Sequence, residues 1–306
     1  MTDFSTLAAD HLAWLIALSA RWASSALHAV AAVYVQPWFY GSIGGLFVLE
    51  RIWPAVPRQR VLSPGLAQDF LWFNLDLAFR VTVLAAVVRL LGLAYHRLTG
   101  GFSLPVFASW PVVGAVAASF VAVDFLHWLH HRVRHWVTVF WRFHEVHHAQ
   151  RELNPLTDLR VHPVEHLVAQ SIVFLPMIVF QLEPYALGVG VVVTLYTKFV
   201  HANVRTNLGP LRHVLVSPQF HRIHHSRDPR HRETNFGVVL TVWDRLFGTL
   251  YARYDEYPDT GLDEVRFPAP AGWSPLAWLG GLLREVWYPF GRLLAREPRA
   301  ASTAPR

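Results

Sequence analysis

An all-α fold embedded in a membrane is the class this sequence predicts, and three observations predict it. Of the 306 residues, 53% are hydrophobic and 16% charged, against about 25% charged in ordinary soluble domains. Apolar stretches of helical length recur near 12–35, 38–50, 77–95, 111–130, 166–182 and 186–200. Fifteen of the 18 histidines fall between His127 and His231, many at spacings of three and four that put side chains on one helix face. Together these describe an integral membrane helical bundle with a histidine-rich metal-binding lobe, read as a single membrane domain over 1–306.

The first stretch carries Asp10, His11, Arg21 and His28 at its edges or within it, which suits an interfacial or partly buried helix better than a lone span. No basic segment precedes it, so a cleaved secretory signal is not expected. The stretch beginning near Leu77 holds Arg80 and Arg89, tolerable only where they snorkel or face protein or water. Glu183-Pro184-Tyr185 reads as the turn of a hairpin between the last two stretches. After Arg205 a polar lobe is expected over 205–265, with Trp243 to Thr249 closing a turn in which Gly248 takes a backbone angle other residues resist. From Trp273 to Leu294 apolar residues recur at helical spacing, which predicts one or two interfacial helices over 270–295 broken at Pro289. The final residues, Glu297 to Arg306, read as disordered.

Loop charges set the orientation. Arg51, Arg58 and Arg60 follow the second stretch, and Arg132, Arg134, Arg142, Arg151 and Arg160 follow the fourth, whereas 96–110 holds only Arg97. An excess of arginine marks the cytoplasmic side, so 51–69, 131–165 and everything after 200 are expected there. The net charge of +6 rests on arginine, with Lys198 the only lysine; in so apolar a chain it points to anionic lipid headgroups rather than nucleic acid.

There are no cysteines, which excludes thiolate zinc sites, cysteine-held iron–sulfur clusters, disulfides and cysteine nucleophiles. Histidine is left as the metal ligand. The three clusters are His131-x3-His135, His144-x2-His147-His148 and His221-x2-His224-His225. A structural zinc takes about four ligands and a catalytic zinc about three, so eight convergent imidazoles suggest two ions. Imidazole suits iron, zinc, copper and nickel alike and does not choose among them. His127 and His130, beside Trp128 and Leu129, read as packing residues, and His11, His28, His96, His166, His213 and His231 lack a partner at metal-binding spacing.

Two other readings compete. His144-Glu145-Val146-His147-His148 satisfies the His-Glu-x-x-His pattern of zinc peptidases, with Glu145 as general base, but it leaves six clustered histidines idle. A metal-handling transport protein would spread its histidines along the spans rather than gather them at one face.

The run from Asp124 to His135, followed by Trp141-Arg142-Phe143-His144-Glu145-Val146-His147-His148, resembles the first two histidine boxes of the fatty acid hydroxylase (sterol desaturase) superfamily. Asn207-Leu208-Gly209-Pro210, Ser217 to Ser226, Asn235-Phe236-Gly237 and Trp243 to Thr249 are similar to its third box and terminal signature. The resemblance covers roughly 111–252, read as the hydroxylase core. It departs where His127 and Leu129 replace aromatic residues, which bears on substrate fit.

The resemblance implies a non-haem di-iron site held by His131, His135, His144, His147, His148, His221, His224 and His225, with His162 and His201 as further ligands. Asp124, Glu165, Asn203 and Asn235 would orient the imidazoles, as metal-bound histidines require. It also implies two iron ions, with zinc a substitute in purified protein, and O2-dependent hydroxylation or desaturation of a membrane lipid in a greasy slot between 111–131 and 166–200. No fused electron carrier is apparent, so electrons are expected from a separate redox protein. The lipid, the carbon attacked and the oligomeric state are not legible.

Overall fold

The computed structural model describes residues 36–104, 106–107, 109–262, 267 and 273–295; the stretch expected at 12–35 and the tail from Glu297 lie outside the described residues. Among them the fold is all-helical, with three isolated β-bridges and no strand.

Helix α1 (Pro37–Ile52) leads into α2 (Pro64–Phe79), which Ser63 caps by accepting from the Leu66 N–H at 3.1 Å, with Pro64 in the first turn. Helix α2 continues through a π-turn, Arg80–Leu84, into α3 (Ala85–Thr99), making one rod of 36 residues that ends at Gly100 with φ +65. This rod starts 13 residues before the expected Leu77, because Gln68, Asp69 and Asp76 break the hydropathy yet are buried against protein. Arg80 reaches back to Asp76 at 2.8 Å.

Helix α4 (Val112–Trp136) has 25 residues and is about 37 Å long, enough for a hydrocarbon core of roughly 30 Å. It and the α2–α3 rod are the two helices, among the described residues, long and apolar enough to cross a membrane. Both present large apolar side chains outward, among them Phe70, Leu90, Val112, Val113 and Val121, which water would penalise and lipid would not. Val137 breaks the chain from α4 into α5 (Thr138–His148).

Helix α6 (Pro163–Val179) and helix α7 (Glu183–His201) form the hairpin. Its turn falls at 180–182, with Gln181 at φ +50, rather than at Glu183-Pro184-Tyr185. Pro184 lies in the first turn of α7, where its missing N–H is no loss. Short helices α8 (Pro218–His224) and α9 (Val242–Leu246) build the lobe, and Gly248 takes φ +70. Helix α10 (Pro275–Leu294) runs unbroken through Pro289, where the sequence suggested a break.

Helix α4 packs against α5, α6 and α7, and Val123, Val189, Val193 and Val239 form the apolar centre of that contact. A buried polar knot ties the remaining elements. Asp69 accepts from Gln150 Nε2, Asn154 Nδ2, Thr157 Oγ1 and Arg160 Nη1 at 2.7–3.0 Å. Arg160 also meets Glu285 of α10 at 2.7 Å, and Glu285 accepts from Trp72 Nε1 at 2.6 Å. Helix α10 is therefore fastened to α2 and the segment before α6 through its buried carboxylate, since a charge taken from water is stable only when paired and hydrogen-bonded.

Candidate metal centre

The two His-x2-His-His boxes divide in opposite senses. Neighbouring residues on a helix point apart while residues four apart share a face. Helix α5 accordingly sends His144 and His148 to one group and His147 to another, and the α8 segment sends His221 and His225 to the second group and His224 to the first. Helix α4 adds His131 and His135 to the first, and the last residue of α7, His201, completes the second. The result is five imidazoles (His131, His135, His144, His148, His224) and four (His147, His201, His221, His225), all buried, with the ligating atoms of each group within 4.8 Å of one another. The groups adjoin: the rings of His148 and His225 stack with centroids 4.4 Å apart.

Acceptors behind the rings set their tautomers. The Nδ1 of His131 lies 2.9 Å from the Phe236 carbonyl, that of His201 2.7 Å from the Thr197 carbonyl, and that of His224 2.8 Å from the Thr234 carbonyl. A carbonyl can only accept, so each Nδ1 carries the proton and each Nε2 turns a lone pair inward. His144 donates from Nδ1 to Glu165 Oε2. The inward Nε2 atoms of His131, His144 and His224 are buried with no partner among the described residues. In the second group His201 Nε2 lies 3.2 Å from His147 Nε2 and 2.9 Å from His221 Nε2. His201 Nε2 offers a lone pair there, its proton being committed to the Thr197 carbonyl, and the Nε2 atoms of His147 and His221 converge on the same point, as ligands of one cation would. The donor set therefore fits metal ions. Burial holds the imidazoles of His144, His147, His148, His221, His224 and His225 well below their ordinary pKa, and neighbouring rings add to the shift. They are neutral, as ligands must be.

His162 stands apart from both groups. It caps α6: its Nδ1 accepts from the Val164 N–H at 3.2 Å, its Nε2 donates to the Val286 carbonyl at 3.1 Å, and its own N–H donates to Glu165 Oε1 at 3.1 Å. Both ring nitrogens are used, which corrects the expectation of a tenth ligand. His162-Pro163-Val164-Glu165 has the order of a capping box with proline in the first turn, a signal present in the sequence.

Of the four residues expected to orient imidazoles, Glu165 alone touches a clustered ring; Asp124, Asn203 and Asn235 hold backbone instead. Asp124 accepts from the Val239 and Leu240 N–H groups and from Trp243 Nε1 at 2.8–3.2 Å, pinning the lobe to α4. Asn203 accepts from the Val56 N–H and Arg222 and donates to the Val56 carbonyl. Asn235, at φ +61, links Phe220 to Tyr251. The supports that sequence reasoning missed are mostly carbonyls, which carry no residue signature. Asp244 is an exception: it accepts from the Phe236 and Gly237 N–H groups at 2.9 and 2.7 Å and so fixes the carbonyl that holds His131. Glu233 is another, 2.8 Å from Arg132 and 3.8 Å from His135 Nδ1.

Glu145, the base a peptidase would need, is buried and paired with Arg142 at 2.8 Å. A cavity of about 280 Å³ borders both groups between α4, α6 and α7. Its wall is mixed, with Arg80, Arg134 and Lys198 among valines and leucine, where the sequence suggested a greasy slot.

Buried imidazoles in two adjoining groups beside membrane-capable helices make a polyhistidine donor set that could hold metal ions. The fatty acid hydroxylase family model matches residues 116–249. Human alkylglycerol monooxygenase is 33% identical over 156 residues, covering 51% of this chain and 34% of that protein. Ornithine lipid hydroxylase OlsE of Rhizobium tropici is 31% identical over 143 residues, covering 46% and 43%. The very-long-chain aldehyde decarbonylase GL1-5 of Oryza sativa subsp. indica is 24% identical over 188 residues, covering 55% and 28%. The chain thus spans less than half the length of these relatives, and no solved structure matches.

Proposed function

We propose that this chain is a membrane-bound non-haem di-iron oxygenase that hydroxylates or desaturates a lipid, using O2 and electrons from a separate redox protein, with its centre facing the cytoplasm. The observation that carries the reading is the division of nine buried imidazoles into groups of five and four with their inward nitrogens converging. The relatives named above, a monooxygenase and a hydroxylase of lipids, support the substrate class, and the arginines of 51–69 and 131–165 support the orientation.

Iron bound there would supply O2 activation and attack on an unactivated C–H bond. The balance for hydroxylation is one C–H bond and O2 consumed with two electrons and two protons, giving an alcohol and water. With no cysteine in the chain, its residues cannot hold an iron–sulfur cluster by thiolates, and a separate redox protein supplies the electrons in this reading. The chain's residues hold the centre ready: Phe236, Thr197 and Thr234 carbonyls and Glu165 fix the rings, and burial keeps them neutral.

The test is lipid mass spectrometry after exposing iron-loaded, reduced protein in membranes to isotope-labelled O2. A lipid product with one labelled oxygen, or with two hydrogens fewer, is expected, abolished by His221→Ala and preserved by Glu145→Gln. No lipid product, with peptide hydrolysis that Glu145→Gln abolishes and His221→Ala leaves intact, would instead identify a zinc peptidase.

A further inference from the structure

The cavity borders the rings of His131, His144, His147, His201 and His221, whereas His135 and His148 are not part of its wall. Against those two lies Trp141. Its ring centroid is 4.8 Å from that of His135, 5.2 Å from that of His148 and 6.1 Å from that of His144, distances at which aromatic rings are in contact. The sequence dictates the contact. Trp141, His144 and His148 stand at i, i+3 and i+7 on α5 and so share a face, and the last turn of α4 brings His135 to it.

Among the described residues the rings of the second group meet only other imidazoles. In the first group His131, His135 and His224 also meet Phe236, which is fully buried. Trp141 differs in being part-exposed. Trp136, 71% exposed, and Val139 accompany it at the surface, at the end of α4 from which the arginine-rich stretch 132–160 continues. Electrons from outside must cross the protein around a buried centre, and electronic coupling falls steeply across saturated groups. It falls less across a conjugated ring in contact at both ends, and the indole is the largest such ring a side chain offers.

Resting on the oxygenase reading, we propose that Trp141 is the electron-entry residue of the centre, coupling a one-electron carrier outside the chain to the ion held by His135 and His148. Substrate in the cavity and electrons through the indole then reach the centre by separate routes. Each transfer oxidises the carrier by one electron and reduces one ferric ion by one. Two transfers serve each O2, and no bond forms or breaks at Trp141 and no proton moves there. The stacked rings of His148 and His225, 4.4 Å apart, continue the route into the second group, so one entry serves both ions.

The chain has no cysteine, so a single introduced one can carry a ruthenium polypyridyl photoreductant. Trp136→Cys places the label beside Trp141, and Leu246→Cys, at a residue 68% exposed in α9, is the reference. The full chain, loaded with ferric iron in maltoside micelles without oxygen, is flashed with ascorbate as sacrificial donor, and loss of the ferric absorbance gives a reduction rate independent of turnover. From the Trp136→Cys label, Trp141→Leu is expected to slow reduction about ten-fold, the equivalent of about 1.4 kcal/mol of barrier. Trp141→Phe should slow it less, because a ring remains. From the Leu246→Cys label both variants should match the parent, with iron content and thermal midpoint unchanged. A rate from the Trp136→Cys label that ignores both substitutions, or equal slowing from both labels, would overturn the proposal. Should Trp141→Leu lose its iron, Trp141→Phe decides: slowing from the Trp136→Cys label alone upholds the proposal, and the parent rate overturns it. Reduction that depends on Trp141, followed by no oxidised lipid when O2 is admitted, would support electron entry while overturning the oxygenase reading.

Discussion

His144 of α5 and Glu165 of α6 meet with Nδ1 and Oε2 2.5 Å apart, both side chains almost wholly buried. The contact joins two helices and aims one imidazole, and Arg134 meets the same carboxylate oxygen at 2.7 Å. Glu165→Ala frees the ring and strands Arg134. Because partners behind metal-bound histidines are worth about 10–100-fold in affinity, metal binding should weaken by that factor, measured by competition with a chelator of known strength.

His162 and His201 make a discriminating pair, since the resemblance implied both as ligands and the structure separates them. His162→Ala removes a helix cap and should cost about 1 kcal/mol of stability with metal content unchanged. His201→Ala should reduce the metal content, since it removes one of four converging nitrogens. Thermal unfolding and elemental analysis of the two variants check both halves.

Glu285 offers a test of how α10 is held. Its replacement by alanine leaves Arg160 buried with Asp69 as its remaining charged partner, and breaking one side of a buried ion pair costs about 3–5 kcal/mol. A lowered thermal midpoint and faster proteolysis within 273–295 are the expected readouts.

Acid should destabilise the metal-free protein. The native-state pKa values of His144, His147, His148, His221, His224 and His225 are depressed by burial, while in the unfolded chain each titrates near about 6.5. Below that pH the unfolded state binds protons that the folded state refuses, so stability is full above about pH 6.5 and falls as the pH drops through it. Metal retention should decline over the same window, because protons compete for the ligands. Unfolding midpoints recorded from pH 8 downward, an interval of about 3 units around the reference value, measure the effect.

The all-helical class was legible in the composition and the periodicity, and the helix ends were legible where Ser63-Pro64, Ser217-Pro218 and Ser274-Pro275 mark them. The rod starting at Pro64 was not, because hydropathy counts Gln68, Asp69 and Asp76 as polar without seeing the protein packed over them. Eight of the nine histidines that come together were legible from the spacing of their boxes, and His201, isolated in the sequence, was implied only by the resemblance. Their division into five and four was hidden, since it depends on how α5 and α8 oppose each other in space. Phe236, Thr197 and Thr234 act through carbonyls, which every residue has. Arg134 lay in plain view as a loop charge, and only the fold turns it toward the cavity.

The central claim is that the groups of five and four imidazoles each hold an iron ion. Protein produced with iron and purified without oxygen should contain two irons per chain, and His131→Ala and His221→Ala should each retain close to one. A wild-type content of one ion or none, or a firm preference for zinc that iron cannot displace, would contradict the account.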